Sequence, residues 1–223
     1  MASGSQAKPA SGARRPLKSR QTGWAKSAAS WLLRLGISPN QISVASLVFS
    51  AFAAACLLFT QRARTDLRIV LLIIAAMCIQ LRLLCNLLDG MVAIEGGRQT
   101  KSGEIFNDMP DRFADMFILV AAGYSLKYSW GRELGWIAAV LSVLTAYIRA
   151  LGGATGAAQY FIGPMAKQQR MAVLTGACLF STLETWLGLQ GQIMAIALMV
   201  ISLGCVITVI RRTCRIVHEL EAK

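Results

Sequence analysis

Long apolar runs decide most of what this chain can become. They lie at approximately 41–60, 67–93, 104–126, 133–152, 170–188 and 191–211. Each is about long enough to cross ~30 Å of hydrocarbon at ~1.5 Å per residue. A backbone in lipid must satisfy its own N–H and C=O groups, so such runs fold as helices. Over 223 residues, 55% are hydrophobic and the mean hydropathy is positive. The reading is an all-α integral membrane protein of six transmembrane helices.

One stretch breaks the apolar character. Residues 86–115 read NLLDGMVAIEGGRQTKSGEIFNDMPDRFAD and hold six of the chain's eleven acids: Asp89, Glu95, Glu104, Asp108, Asp111 and Asp115. An ionisable group at bilayer depth costs roughly 3 kcal/mol on insertion scales, so clustered acids there mark a function by default. At ~100° per residue, Arg82, Asn86, Asp89 and Ala93 share a helix face about 60° wide. On the following helix Glu104, Asp108, Asp111 and Asp115 share another, with Asn107 at its edge. Gly96 and Gly97 allow the chain to turn back between them. Two oxygen-bearing faces can then oppose each other, a set suited to Mg²⁺, Mn²⁺ or Ca²⁺. Zinc is disfavoured, because no Cys or His is placed beside them.

The spacing of this stretch resembles the signature of the CDP-alcohol phosphotransferase family, D-x-x-D-G-x-x-A-R-x8-G-x-x-x-D-x-x-x-D. Asp89, Gly90, Ala93, Gly103 and Asp111 match in register, whereas Asn86 and Asn107 stand where the family has Asp, and Ile94 where it has Arg. The string Ile37-Ser38-Pro39-Asn40-Gln41-Ile42-Ser43 is similar to the family's entry into its first membrane helix.

The resemblance implies transfer of a phosphoalcohol, here phosphatidyl, group from a CDP-linked donor such as CDP-diacylglycerol to an alcohol acceptor, with release of CMP. It implies two ions, Mg²⁺ or Mn²⁺, held by Asn86, Asp89, Asn107 and Asp111, with Asp108 and Asp115 as further candidates. Asp111 takes the place of the family's general base. Gly90, Ala93 and Gly103 fall at its nucleotide side, and Arg98 or Lys101 would compensate for Ile94. The family also implies a homodimer. Two alternatives stay open: a non-catalytic lipid- or nucleotide-binding relative, and a transporter using the intramembrane acids.

The remaining charge sets the orientation. Net charge is +12, gathered in tails and short loops, which suits anionic lipid headgroups. No basic and aromatic groove pattern suggests nucleic acid. Residues 1–21 read as a disordered basic tail, and no signal peptide is expected, since the first apolar run starts late and is long. Residues 22–36 carry Trp24, Ala28, Trp31 and Leu35 on one stripe, an interfacial amphipathic helix before the membrane domain at 37–212. A C-terminal tail is expected at 213–223. The excess of Lys and Arg places both termini and the acidic stretch on the cytoplasmic side of a bacterial inner membrane. Arg62, Arg64 and Arg68 run against that count. On the cytoplasmic side Lys167 and Arg170 open a span at i, i+3, and Arg149 closes another, a candidate phosphate- or acceptor-binding set. The six cysteines form no C-x-x-C pair and read as small apolar side chains. The single histidine, His218, reads as solvated.

Overall fold

The structure is a computed structural model that describes residues 22–97, 103–189 and 191–223; of Glu104 and Asn107 it describes the backbone alone. The N-terminal tail and the two candidate compensators, Arg98 and Lys101, lie outside the described residues. Within them the chain forms α1 (Gly23–Arg34), α2 (Pro39–Thr60), α3 (Thr65–Glu95), α4 (Gly103–Tyr124), α5 (Gly131–Ala154), α6 (Lys167–Trp186) and α7 (Gln192–Glu221).

Helix α1 packs its small side against α3: Ala25 and Ala29 are fully buried, while Trp24 and Trp31 point outward. The aromatic stripe therefore faces the surroundings, as an interfacial anchor requires. Ser38 starts α2 with a capping box. Its hydroxyl accepts the Gln41 N–H, Gln41 Oε1 accepts the Ser38 N–H at 2.8 Å, and Pro39 fills the first turn. Gly97, at φ 59°, lets the chain leave α3 after Glu95.

Helices α2 through α7 form one bundle. α2 packs on α3 and α4, α4 on α5, α3 on α6, and α7 on α5 and α6. Small residues set the closest approach. A Cβ on Gly123 would lie 2.6 Å from the Gly131 carbonyl oxygen and 2.6 Å from Gly135 Cα, so α4 and α5 nearly touch there. The apolar core runs through Leu57, Leu72, Ile79, Ile118, Leu174 and Leu198.

The all-α membrane class stands. Among the described residues four helices are long and apolar enough to cross a membrane: α2, α3, α5 and α7. α4 and α6 fall short because they carry the charged residues of the site, Asp108, Asp111, Arg112 and Asp115 on one and Lys167 and Arg170 on the other. Helix α7 also runs on through Glu221, so residues 213–221, expected as a tail, are helical. His218 is exposed on that extension.

Two polar features at the opposite end of the bundle explain charges that sequence left unplaced. Arg68 is buried and its Nε donates to Thr185 Oγ1 at 3.1 Å. It is thus satisfied inside the protein rather than in water. Glu184 is also buried, and its Oε1 accepts the N–H groups of Gln192 and Ile193 at 2.6 and 3.4 Å, capping the start of α7.

Candidate active site

The antiparallel run of α3 and α4 brings the two expected faces together. Arg82 on α3 meets Asp115 on α4, and Asn86, one turn on, meets Asp111, one turn back. Long polar side chains bridge the helices in this register. On the other side of α3, helix α2 supplies a matching row. Ser43 Oγ donates to Asp89 Oδ2 at 2.8 Å, and Ser46 Oγ donates to Asn86 Oδ1 at 3.0 Å.

Asp111 is the hub. It is 4% exposed. Its Oδ1 accepts from Asn86 Nδ2 at 2.8 Å and lies 3.6 Å from Arg82 Nη2. Its Oδ2 accepts from Lys167 Nζ on the first residue of α6. Arg82 Nη2 also donates to the Asp111 carbonyl oxygen at 3.3 Å. Two cations and one amide thus hold this carboxylate. Each carboxylate oxygen accepts at two positions, so Lys167 leaves Oδ2 a lone pair for an incoming hydroxyl.

Asp89 differs. It is buried, and Ser43 holds Oδ2, but Oδ1 has no hydrogen-bond partner. An orphaned buried carboxylate oxygen is costly, and a bound cation would relieve it.

The other expected ligands are committed elsewhere. Both oxygens of Asp115 are taken, by Arg82 Nη2 at 2.6 Å and Arg170 Nη2 at 2.5 Å, with all three side chains buried. Asp115 therefore has no oxygen turned to a metal. The side chain of Asp108 is 44% exposed and pairs with Arg149 Nη2 at 2.5 Å and Arg112 Nη2 at 3.5 Å. The side chain of Asn107 lies outside the described part. Among the described residues, no three or more His, Cys, Asp or Glu side chains converge into a metal cage. Of Asp89, Asp108, Asp111 and Asp115, Asp89 keeps a carboxylate oxygen with no hydrogen-bond partner, where a divalent cation would find a ligand.

The basic set divides as well. Arg170, expected on the phosphate side, turns inward: it is 1% exposed and its Nη1 donates to the Met165 carbonyl at 3.0 Å and Thr145 Oγ1 at 3.3 Å. Burial beside Asp115 takes it out of reach of a soluble phosphate. Lys167 and Arg149 remain part-exposed. Arg149 also lies over the Phe161 ring at 5.2 Å, in the loop between α5 and α6. Gly90 is buried on α3, Ala93 is partly buried just beyond it, and Gly103 opens α4.

Sequence reasoning missed Ser43 and Ser46 as partners of the site. Their signal was present: with Ser50 they form an i, i+3, i+7 polar row along an otherwise apolar helix.

Two apolar cavities flank the bundle. One, of about 460 Å³, lies beside the site between α1, α2 and α3 and is lined by Leu32, Ile37, Ile42, Ala45, Cys85 and Leu88. The other, of about 480 Å³, lies between α2, α4 and α5 against Ala54, Leu58, Phe117, Val120 and Trp136.

A scan against models of protein families returns no match. The phosphatidylinositol phosphate synthase of Streptomyces avermitilis is 25% identical over 199 residues, covering 86% of this chain and 77% of that protein. The structure of Mycobacterium tuberculosis phosphatidylinositol phosphate synthase with CDP-DAG bound superposes with a TM-score of 0.71 at 19% identity, over 86% of this chain and 92% of the other. The same enzyme with manganese and citrate gives a TM-score of 0.71 at 18% identity, over 86% and 88%. This chain thus shares the fold of that synthase over most of both chains, and its run from Asp89 to Asp111 resembles the signature of the CDP-alcohol phosphotransferase family.

Proposed function

We propose that the protein transfers a phosphatidyl group from CDP-diacylglycerol to an alcohol acceptor and releases CMP. The observation that carries this reading is the row of buried Asp89, half-buried Asn86 and buried Asp111, beside part-exposed Lys167 and Arg149, in a bundle of membrane helices. In the transfer, the acceptor oxygen forms a bond to the phosphorus of the phosphatidyl group. The bond from that phosphorus to the CMP oxygen breaks, and CMP leaves with the electron pair. Asp111 takes the acceptor's hydroxyl proton on its free Oδ2 lone pair. Lys167 and Arg82 hold that carboxylate in position until then. Asn86, oriented by Ser46, holds the other oxygen.

Asp89 would hold a divalent cation, Mg²⁺ or Mn²⁺, which supplies positive charge against the donor pyrophosphate. Gly90, Ala93 and Gly103 line the nucleotide side. The cavity between α1, α2 and α3 suits the apolar part of the donor, since Ile42 and Leu88 in its wall are sequence neighbours of Ser43 and Asp89. Lys167 and Arg149 face the acceptor, and cations there favour an acceptor carrying its own phosphate. The Streptomyces relative, a phosphatidylinositol phosphate synthase, supports an inositol-phosphate type of alcohol.

The wider setting is also part of this reading. All six long helices α2–α7 embed in a bacterial inner membrane with anionic headgroups. The site and both termini face the cytoplasm, and two copies associate as a dimer.

The test is CMP release by purified protein given CDP-diacylglycerol with inositol phosphate, inositol, glycerol phosphate or serine. Release should depend on Mg²⁺ or Mn²⁺ and be fastest with a phosphorylated acceptor. CDP-lipid binding without CMP release under every acceptor would instead favour a non-catalytic relative. Unchanged CDP-lipid binding in excess chelator would falsify the role of Asp89.

A further inference from the structure

We propose that Lys167 is a tethered cation that takes the place of one of the two divalent ions implied by the family signature, so that this chain binds a single divalent ion at Asp89. The inference rests on the metal-dependent transfer proposed above.

The orientation of Asn86 is the first support. A carboxylate only accepts hydrogen bonds, so the group that Asn86 turns to Asp111 must be its NH₂, which lies 2.8 Å from Oδ1. The amide oxygen is thereby turned toward α2, where the Ser46 hydroxyl donates to it at 3.0 Å. Asn86 is built into this site as a donor to Asp111, whereas an Asp at the same position would meet Asp111 as a second anion. An Asp pair there needs a cation between its members; the Asn–Asp pair does not.

Charge is the second support. Of four acidic positions in the signature, two are amides here, Asn86 and Asn107, leaving Asp89 and Asp111. One divalent ion balances two carboxylates. Asp111 already has the Lys167 ammonium on Oδ2 and Arg82 Nη2 at 3.6 Å from Oδ1. A second divalent ion on Asp111 would sit against both cations. Two neighbouring acids offer no compensation: Asp115 is consumed by Arg82 and Arg170, and Asp108 by Arg149 and Arg112.

The third support is the contrast between the two remaining acids. Both oxygens of Asp111 have donors from the protein itself, while Asp89 Oδ1 is buried without any. Asp89 is 3% exposed. Unmet demand for a cation is thus concentrated at one of the two carboxylates. Lys167 can serve both purposes at once: an ammonium has three N–H donors, so one stays on Asp111 while another meets an acceptor phosphate.

The experiment counts Mn²⁺ bound per chain by electron paramagnetic resonance, on full-length protein in detergent micelles. Wild type should bind one Mn²⁺, and Asp89→Asn should lose it. Lys167→Met should admit a second Mn²⁺, and adding Asn86→Asp and Asn107→Asp to that variant should tighten it. Lys167→Gln serves the same purpose if the methionine variant does not purify. Two Mn²⁺ in wild type, or none, would overturn the proposal. So would a Lys167→Met or Lys167→Gln protein that keeps a count of one and shows only a raised KM for the acceptor. CMP release, measured on the same samples, separates the two levels. Two Mn²⁺ with active release sinks the tethered cation alone, and one Mn²⁺ with no release under any acceptor sinks the transferase reading.

Discussion

Arg82 and Asp115 meet at 2.6 Å with neither side chain open to solvent, and Asp115 gives its second oxygen to Arg170 at 2.5 Å. The triad ties α3, α4 and α6 together directly beneath Asp111. It places two guanidiniums against one carboxylate, and Arg82 Nε, Arg82 Nη1 and Arg170 Nε have no partners. The group survives because Arg82 also reaches Asp111 and its carbonyl. Breaking one member should leave buried charge uncompensated. Asp115→Asn should therefore lower stability by about 3–5 kcal/mol. Thermal melting in detergent would show this, and a melting temperature equal to wild type would remove the triad's structural role. Replacing all three residues together with Met, Leu and Met should cost less than Asp115→Asn alone, because apolar packing can substitute for a buried ion group.

Asp111 should behave in the opposite way. Asp111→Asn keeps the shape and an oxygen beside Lys167 but removes the basicity. CMP release should fall by ~100-fold or more, the usual scale of general-base catalysis. CDP-lipid affinity should change little, since Asp89 and its free oxygen are untouched. Asp115→Asn, where it folds, should retain more turnover than Asp111→Asn. The reverse order, measured as CMP release beside nucleotide affinity, would move the base one helical turn deeper.

Much of this arrangement was legible in the sequence, and the reasons for the remainder are local. Helical periodicity put Arg82, Asn86 and Asp89 on one face and Asp108, Asp111 and Asp115 on another, and the structure joins both across α3 and α4. Periodicity could not show which acids remain open. That depends on partners far away in sequence: Arg170 for Asp115, Arg149 for Asp108 and Lys167 for Asp111. Arg170 reads as a surface cation when only its loop-edge position is known, yet it is buried because Asp115 and the Met165 carbonyl meet it from inside. The spans differ in apolarity for a related reason. α4 and α6 look like ordinary spans by length, but the charges that build the site lower their apolarity below that of their neighbours.

Glycines in the bundle should divide sharply by what surrounds them. A Cβ on Gly135 would lie 2.8 Å from Gly123 Cα and 3.0 Å from the Leu119 carbonyl oxygen, both backbone atoms that cannot step aside. Gly135→Ala should force α4 and α5 apart and cost about 1–3 kcal/mol, as overpacking usually does. Gly176, on α6, has nothing within 4 Å of the same position. Gly176→Ala should be neutral or stabilising by up to ~1 kcal/mol through helix propensity. Melting temperatures of the two variants test the contrast, and equal losses would mean that the α4–α5 contact is looser than described.

The helical extension of α7 should matter for the acceptor rather than for the lipid. Glu219 Oε2 accepts from the Tyr160 hydroxyl at 2.7 Å and from the Ala158 N–H at 3.0 Å. Arg215 lies over the Tyr160 ring at 5.6 Å, Arg212 Nε donates to the Ile162 carbonyl at 2.9 Å, and Thr208 Oγ1 accepts the Met165 N–H at 3.0 Å. These contacts pin the loop 155–166 from end to end, and that loop delivers Lys167 to Asp111. Phe161 in the same loop carries Arg149 on its ring. Glu219→Ala should release the middle of the loop without touching α2, α3 or the cavity beside them. The expected result is a higher KM for the acceptor, a smaller change in kcat, and an unchanged KM for CDP-diacylglycerol. Limited proteolysis should cut the variant between Thr155 and Ala166 faster than wild type. Glu219→Gln, which keeps an oxygen acceptor for Tyr160 and Ala158, should restore most of the acceptor affinity. If both variants instead raise the KM for the donor, the extension supports the whole bundle rather than the acceptor loop, and this assignment fails.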